Sequence, residues 1–262
     1  MEILIPILVL GFLGLLFGVG LAIASKKLAV QSDPKLEKIF GLLPGSNCGA
    51  CGGAGCFGFA EDILTGKRKI DACRISEDGT KEKIAEVLGR KLEKGAKKTV
   101  VLNCYGGIRV KDRFIYEGLE DCVAANLVLG GQKECVFGCL GFGSCKEICP
   151  FDAISMSEDG LPIIDKDKCL ACNKCVLICP NKILSLVPID KNVFVACHSS
   201  DSGRDTKAVC PVGCIACKLC EKACPVDAIH VIDNFAVIDY QKCTSCGECV
   251  KACPTKTIRR RT

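Results

Sequence analysis

The sequence predicts an α+β chain: a single N-terminal transmembrane helix, then small modules built on cysteine rather than on a large apolar core. Three observations carry that reading. Residues Ile3 to Ala24 form an apolar run interrupted only by Pro6 and glycines, long enough to cross a bilayer once as a helix. Cysteine supplies 24 of the 262 residues and tryptophan none, a composition in which bound metal replaces much of the core as the folding element. Four cysteine runs, each closed by Cys-Pro, fill the second half: Cys135-x3-Cys139-x5-Cys145-x3-Cys149, Cys169-x2-Cys172-x2-Cys175-x3-Cys179, Cys214-x2-Cys217-x2-Cys220-x3-Cys224 and Cys243-x2-Cys246-x2-Cys249-x3-Cys253.

The last three runs have the bacterial ferredoxin spacing, in which three thiolates of one loop hold a [4Fe–4S] cube and the fourth cysteine ligates the cube of a partner run. Small residues in the loops, Ala171, Ala216 and Gly247, let backbone N–H groups approach the sulfurs and tune the potential. Proline after each fourth cysteine has no N–H and a fixed φ, so it turns the chain into the short apolar stretches at 151–154, 181–184, 226–229 and 255–258. Zinc and disulfides are the competing uses of so many cysteines. Zinc sites pair two-cysteine knuckles, which these runs are not.

Spacing pairs the runs. Cys149 is followed closely by Cys169 and Cys224 by Cys243, whereas a longer, cysteine-poor stretch separates Cys179 from Cys210. Two tandem 2[4Fe–4S] modules follow. The pairing rule gives one cube to Cys135, Cys139, Cys145 and Cys179 and the next to Cys149, Cys169, Cys172 and Cys175. A third goes to Cys214, Cys217, Cys220 and Cys253, and a fourth to Cys224, Cys243, Cys246 and Cys249.

Ahead of these modules, Lys26-Lys27 follow the apolar run while Glu2 precedes it, so the positive-inside rule sends the rest of the chain into the cytoplasm. A reducing compartment suits thiolate-held clusters. Gln31 to Gly45 reads as a short amphipathic helix, with Asp33 as N-cap and Pro34 at the first helical position. Cys48-x2-Cys51-x4-Cys56-x16-Cys73 supplies four thiolates for a further [4Fe–4S] cube, its glycines permitting the φ angles such a loop needs. Lys81 to Lys98 reads as a solvated basic helix ending near Gly95, Thr99 to Asn103 as a strand, and Leu119 to Leu129 as a helix closed by Gly130-Gly131.

The expected order is an anchor over 1–27, a four-cysteine domain with its basic helix over 28–98 and a connecting α/β segment over 99–134. The first ferredoxin module then covers 135–190, a linker 191–209 and the second module 210–262. Five [4Fe–4S] clusters use 20 of the 24 cysteines. Cys104, Cys122, Cys197 and Cys210 stand outside the assignment. Buried free thiol is the ordinary reading of such residues; Cys210, four before Cys214, competes as a ligand there, and nothing in their spacing requires a further cluster.

The net charge of +5 comes without a nucleic-acid motif, so no nucleic-acid role is assigned. Two histidines, no G-x-G-x-x-G after a strand and no nucleophile-plus-base constellation leave an electron carrier without a substrate-chemistry site.

The order of motifs closely resembles the B subunit of the Rnf complex, the ion-translocating ferredoxin:NAD⁺ oxidoreductase. It runs from the anchor through the four-cysteine module, Asn103-Cys104-Tyr-Gly-Gly107, Asp112-Arg-Phe-Ile-Tyr-Glu-Gly118 and Asp121-Cys122 to the ferredoxin runs. The resemblance covers essentially the whole chain. It implies a single-pass protein of the cell membrane, its iron–sulfur domains on the cytoplasmic side, that takes electrons from reduced ferredoxin and relays them to other membrane and peripheral subunits. As part of that complex it would belong to a translocase, with nicotinamide and flavin chemistry left to its partners. The rival readings are a stand-alone anchored polyferredoxin and the electron-input subunit of a membrane hydrogenase or dehydrogenase.

Overall fold

A computed structural model of the chain describes residues 4–28, 33–92 and 95–261; Glu2, Ile3 and Gln31, used above, lie outside them. Helix α1 (Leu4–Leu28) is apolar up to Ala24 and carries Lys26 and Lys27 in its last turn. Its span Ile7–Lys27 has a mean hydropathy of 2.7 and is unburied among the described residues, which makes it a candidate membrane span by length and composition.

Three helices then close on a small core. Asp33 caps α2 (Pro34–Leu42) by accepting the Lys35 N–H at 2.8 Å, and Pro34 starts the helix where a missing N–H costs nothing. Helix α3 (Gly55–Leu64) follows the glycine-rich loop, and α4 (Asp78–Leu88) completes the bundle. Ile39, Phe59, Ile63 and Ile84 meet in its centre and are almost wholly buried, each contributing about 1.5–3 kcal/mol of apolar burial. The basic helix is shorter than expected. It stops at Gly89, whose left-handed φ of 63° lets Arg90 N–H reach Ala85 O at 3.0 Å, a Schellman ending well before Gly95.

The rest of the chain folds twice in the same order. Strand β1 (Lys98–Leu102) pairs antiparallel with β4 (Leu184–Pro188), enclosing the hairpin of β2 (Ile154–Met156) and β3 (Pro162–Ile164). Strand β5 (Val193–Val195) pairs with β8 (Ile258–Arg260) around the hairpin of β6 (Ile229–Ile232) and β7 (Phe235–Ile238). That second hairpin turns on Asp233 and Asn234, both at positive φ, as a two-residue turn between twisted strands requires. One short helix precedes each hairpin and one follows it: α6 (Ser144–Glu147) and α7 (Lys174–Ile178), then α9 (Leu219–Lys222) and α10 (Glu248–Ala252).

Each first strand is separated from its first short helix by a connection bearing a helix of its own, α5 (Cys122–Leu127) in one half and α8 (Gly203–Val209) in the other. Val100, Ile154, Ile183 and Leu184 are buried among the cysteines of the first half; Val193, Ile229 and Ile258 do the same in the second. The expected helix at 119–129 is confined to α5, because Asp121 caps it and Leu129, Gly130 and Gly131 turn to positive φ.

Candidate iron–sulfur sites

In the N-terminal bundle, Cys48, Cys51, Cys56 and Cys73 line one cavity at the head of α3. Asn47, at φ 45°, accepts the Cys56 N–H at 2.8 Å, and Ser76 Oγ donates to Cys73 Sγ at 3.1 Å. Arg68 clamps the loop, giving one nitrogen to Asp62 at 2.6 Å and others to the carbonyls of Cys51 at 3.0 Å and Gly52 at 2.7 Å. Burial raises the Cys51 thiol, with Cys73 and Cys48 adding like-charge repulsion against the N–H of Gly53. A metal that binds thiolates reverses that penalty.

The ferredoxin loops share one backbone pattern. Residues Ala171 and Asn173, Ala216 and Lys218, Ser245 and Gly247 all take left-handed φ on either side of the second cysteine, which turns successive N–H groups inward as an anion-binding nest. The third cysteine of each run, Cys175, Cys220 or Cys249, sits buried on a short helix. Backbone donors reach sulfur here, Ser245 N–H lying 3.4 Å from Cys243 Sγ and Ala228 N–H 3.3 Å from Cys224 Sγ.

The fourth cysteine of each run lies against the other run of its pair. Cys224 lines one cavity with Cys243, Cys246 and Cys249. Burial first, then Cys243, Cys246 and Cys224, pushes the Cys249 thiol up to about 11. Cys253 bears on Cys214, and Cys220 is pushed up to about 12 by burial and by Cys214 and Cys217. In the first module burial, followed by Cys172, Cys169, Cys145 and Cys149, takes Cys175 to about 12. Four thiols, N–H donors and little else fit a cube in each place. When bound, such a cluster supplies one-electron transfer.

The first run differs. Gly141 and Gly143 take the left-handed φ that flank the second cysteine elsewhere, but Phe142 stands between them. The backbone is a ferredoxin loop with its middle ligand missing. Cys139, Cys145 and Cys179 line one cavity, and the fourth thiol in it is Cys122, from the start of α5. Burial and then Cys122 and Cys179 raise Cys145 to about 11. Cys135 lines a different cavity, with Cys104, Cys197 and Cys210, which Cys139 also borders. Register would have exposed this: Cys139 to Cys145 spans the same six positions as Cys214 to Cys220, with Phe142 opposite Cys217. All 24 cysteines are free of disulfides, and among the described residues no three His, Cys, Asp or Glu side chains converge as a single metal ion would require.

The comparisons agree with the motif order. Residues 43–75 match a family model described as an Fe-S cluster, and 134–184 and 213–257 match two models described as 4Fe-4S dicluster domains. The chain is 45% identical over 243 residues, 92% of its length and 73% of the relative's, to the B subunit of the Na(+)-translocating ferredoxin:NAD(+) oxidoreductase complex of Acetobacterium woodii. It is 42% identical to the B subunit of the ion-translocating oxidoreductase complex of Methanosarcina acetivorans, covering 91% of this chain and 90% of that one. To the B subunit of the proton-translocating ferredoxin:NAD(+) oxidoreductase complex of Clostridium ljungdahlii it is 39% identical, covering 92% and 86%. Anchor, four-cysteine module and paired ferredoxin modules thus stand in a chain that belongs to the B-subunit family of ion-translocating oxidoreductase complexes.

Proposed function

We propose that this chain is the iron–sulfur electron-transfer subunit of an Rnf-type complex, taking electrons from reduced ferredoxin on the cytoplasmic face and relaying them to membrane-embedded partners. One observation carries the reading. Thiol groups succeed one another through the ferredoxin half: Cys104, Cys139, Cys145 and Cys175 pack in one core, Cys104, Cys139, Cys197 and Cys210 line one cavity, and Cys214, Cys220 and Cys249 pack in the next core. A carrier needs centres close together, and this succession supplies them; the thiols are buried or half-buried except for Cys217 and Cys246, which are exposed. Lys26 and Lys27 at the end of α1 support the cytoplasmic side for everything after it.

At least five cubes are proposed, one on Cys48, Cys51, Cys56 and Cys73 and two in each ferredoxin module. The pairing of β1 with β4 and of β5 with β8 supports beginning the modules at Lys98 and Val193 rather than at 135 and 210. The polypeptide's part is to hold thiolates, donate N–H groups to sulfur and exclude solvent; ion movement falls to partners.

Tagged protein solubilised from membranes in mild detergent should bring down integral-membrane flavoprotein subunits, and the preparation should oxidise reduced ferredoxin. Purification alone, or with hydrogenase subunits, sinks the reading in favour of a stand-alone polyferredoxin or another complex. Protease added outside intact cells should leave the iron–sulfur modules uncut.

A further inference from the structure

We propose that Cys104, Cys135, Cys197 and Cys210 together hold a sixth [4Fe–4S] cube on the seam between the two ferredoxin modules, and that Cys122 replaces Cys135 as ligand beside Cys139, Cys145 and Cys179.

The internal repeat supports it first. Asn103 N–H donates to Ile183 O at 2.6 Å, and Ala196 N–H to Thr257 O at 2.8 Å, so Cys104 and Cys197 are equivalent residues just past the first strand of each module. Cys135 precedes Cys139 by the same three-residue gap that separates Cys210 from Cys214. Each module therefore contributes the same two thiols to one place, and the site is two-fold in its sequence logic.

The geometry agrees. All four line one cavity whose atom-free space, mouth included, is about 430 Å³, against about 300 to 400 Å³ for the three quartet cavities described above. A Cβ built on Gly106 would stand 3.8 Å from both Cys104 Sγ and Cys210 Sγ, so those two sulfurs lie near one another beside that glycine. Cys139 N–H lies 3.4 Å from Cys104 Sγ and donates to it across the cavity wall. A buried free thiol needs no such donor; a thiolate on iron does.

The exchange of ligands accounts for both anomalies at once. Phe142 removes one thiolate from the first loop, Cys122 supplies it, and Cys135 is released to the seam. With the N-terminal, ferredoxin and seam quartets complete, no cysteine is left over. The seam cube would stand between Cys139 of one module and Cys214 of the other. A reduced cube in the first module would lose one electron as the seam cube gains it, and the seam cube would return to its oxidised state as the second module is reduced.

The site stands whether or not the chain works in an Rnf-type complex, and cluster counting tests it apart from activity. Anaerobic native mass spectrometry of the full chain, with iron, sulfide and zinc analysis, should find six cubes, about twenty-four iron and as many sulfide. Cys197→Ala should lose one cube, and the Cys104, Cys135, Cys197, Cys210 quadruple alanine variant should lose that same one and no more. Cys122→Ala should lose a different cube, so that Cys122→Ala with Cys197→Ala loses two. A wild-type count of five, or a bound zinc ion, overturns the proposal however the variants fold. So does a quadruple variant missing two cubes.

Discussion

The Ser144 hydroxyl donates to the Asp121 carboxylate at 2.7 Å and accepts the Cys122 N–H at the same distance, tying the first turn of α5 to the first residue of α6. Asp121 also caps α5 by accepting from Val123 and Ala124, each at 2.9 Å. The knot holds Cys122 beside Cys145. Asp121→Ala should cost about 1 kcal/mol as a lost cap and broaden the spectrum of the cube near Cys145, whereas Asp121→Asn, which keeps an acceptor, should lose less. Hydrogen bonds from the Ser144 hydroxyl, then from the Ala124 and Val123 N–H groups, hold the Asp121 carboxyl below its usual 3.8. Its contribution is therefore complete above pH about 3.8 and is lost as pH falls through the lower folded value. The stability gap between wild type and Asp121→Ala should be flat from pH 8 to 5, and a gap that grows with acid would contradict this role.

Cys253→Ala should damage the cube of Cys214, Cys217 and Cys220 and leave that of Cys224, Cys243, Cys246 and Cys249. The Cys-Pro step directs the fourth thiol away from its own loop, and Cys253 bears on Cys214. Cluster-resolved electron paramagnetic resonance decides it, the reverse pattern meaning that each run closes on itself.

Arg68→Lys should not replace Arg68. One guanidinium satisfies Asp62 and two loop carbonyls at once, a fork that an ammonium cannot reproduce. Loss of about 1–2 kcal/mol from the N-terminal bundle is expected for the charged hydrogen bonds, together with faster bleaching of its cube in air. Equal bleaching rates in both proteins would remove Arg68 from the loop's support.

Asn103 joins the modules. Its Nδ2 donates to Val195 O at 2.8 Å while its Oδ1 accepts from Ser185 Oγ at 2.7 Å. The Arg259 guanidinium lies 3.2 Å over the centre of the Tyr105 ring on the same seam. Asn103→Ala should loosen the seam by about 1 kcal/mol per lost bond, read as faster hydrogen exchange at the β5 amides with β2 and β3 unchanged. Uniform exchange across both modules would speak against a local role.

Hydropathy made the apolar N-terminal helix legible, and motif spacing the iron–sulfur and dicluster stretches, because their cysteines are near in sequence. What escaped it depended on distance. Strand β1 looked like part of a connector since its partner β4 lies far along the chain. Cys122 stood outside the assignment because a thiol arriving from a separate helix leaves no local pattern, though it lines one cavity with Cys139, Cys145 and Cys179. Phe142 was the available signal, and reading the first run against the third, position by position, would have raised it. Gly89 was equally visible as a helix stop, but the apolar period continuing to Leu92, which does pack on the bundle, masked it.

The β1–β4 ladder has a consequence for synthesis. Leu102 must wait for Leu184, roughly eighty residues downstream, before its strand has a partner. At 5–20 residues per second a ribosome takes on the order of 4–16 s to deliver it. Throughout that interval the nascent first module carries an open apolar edge and thiols still lacking their distal mates. Iron–sulfur loading that began on the ribosome would meet half-formed quartets, so the topology favours loading after the closing strand has emerged, with a chaperone covering β1 until then.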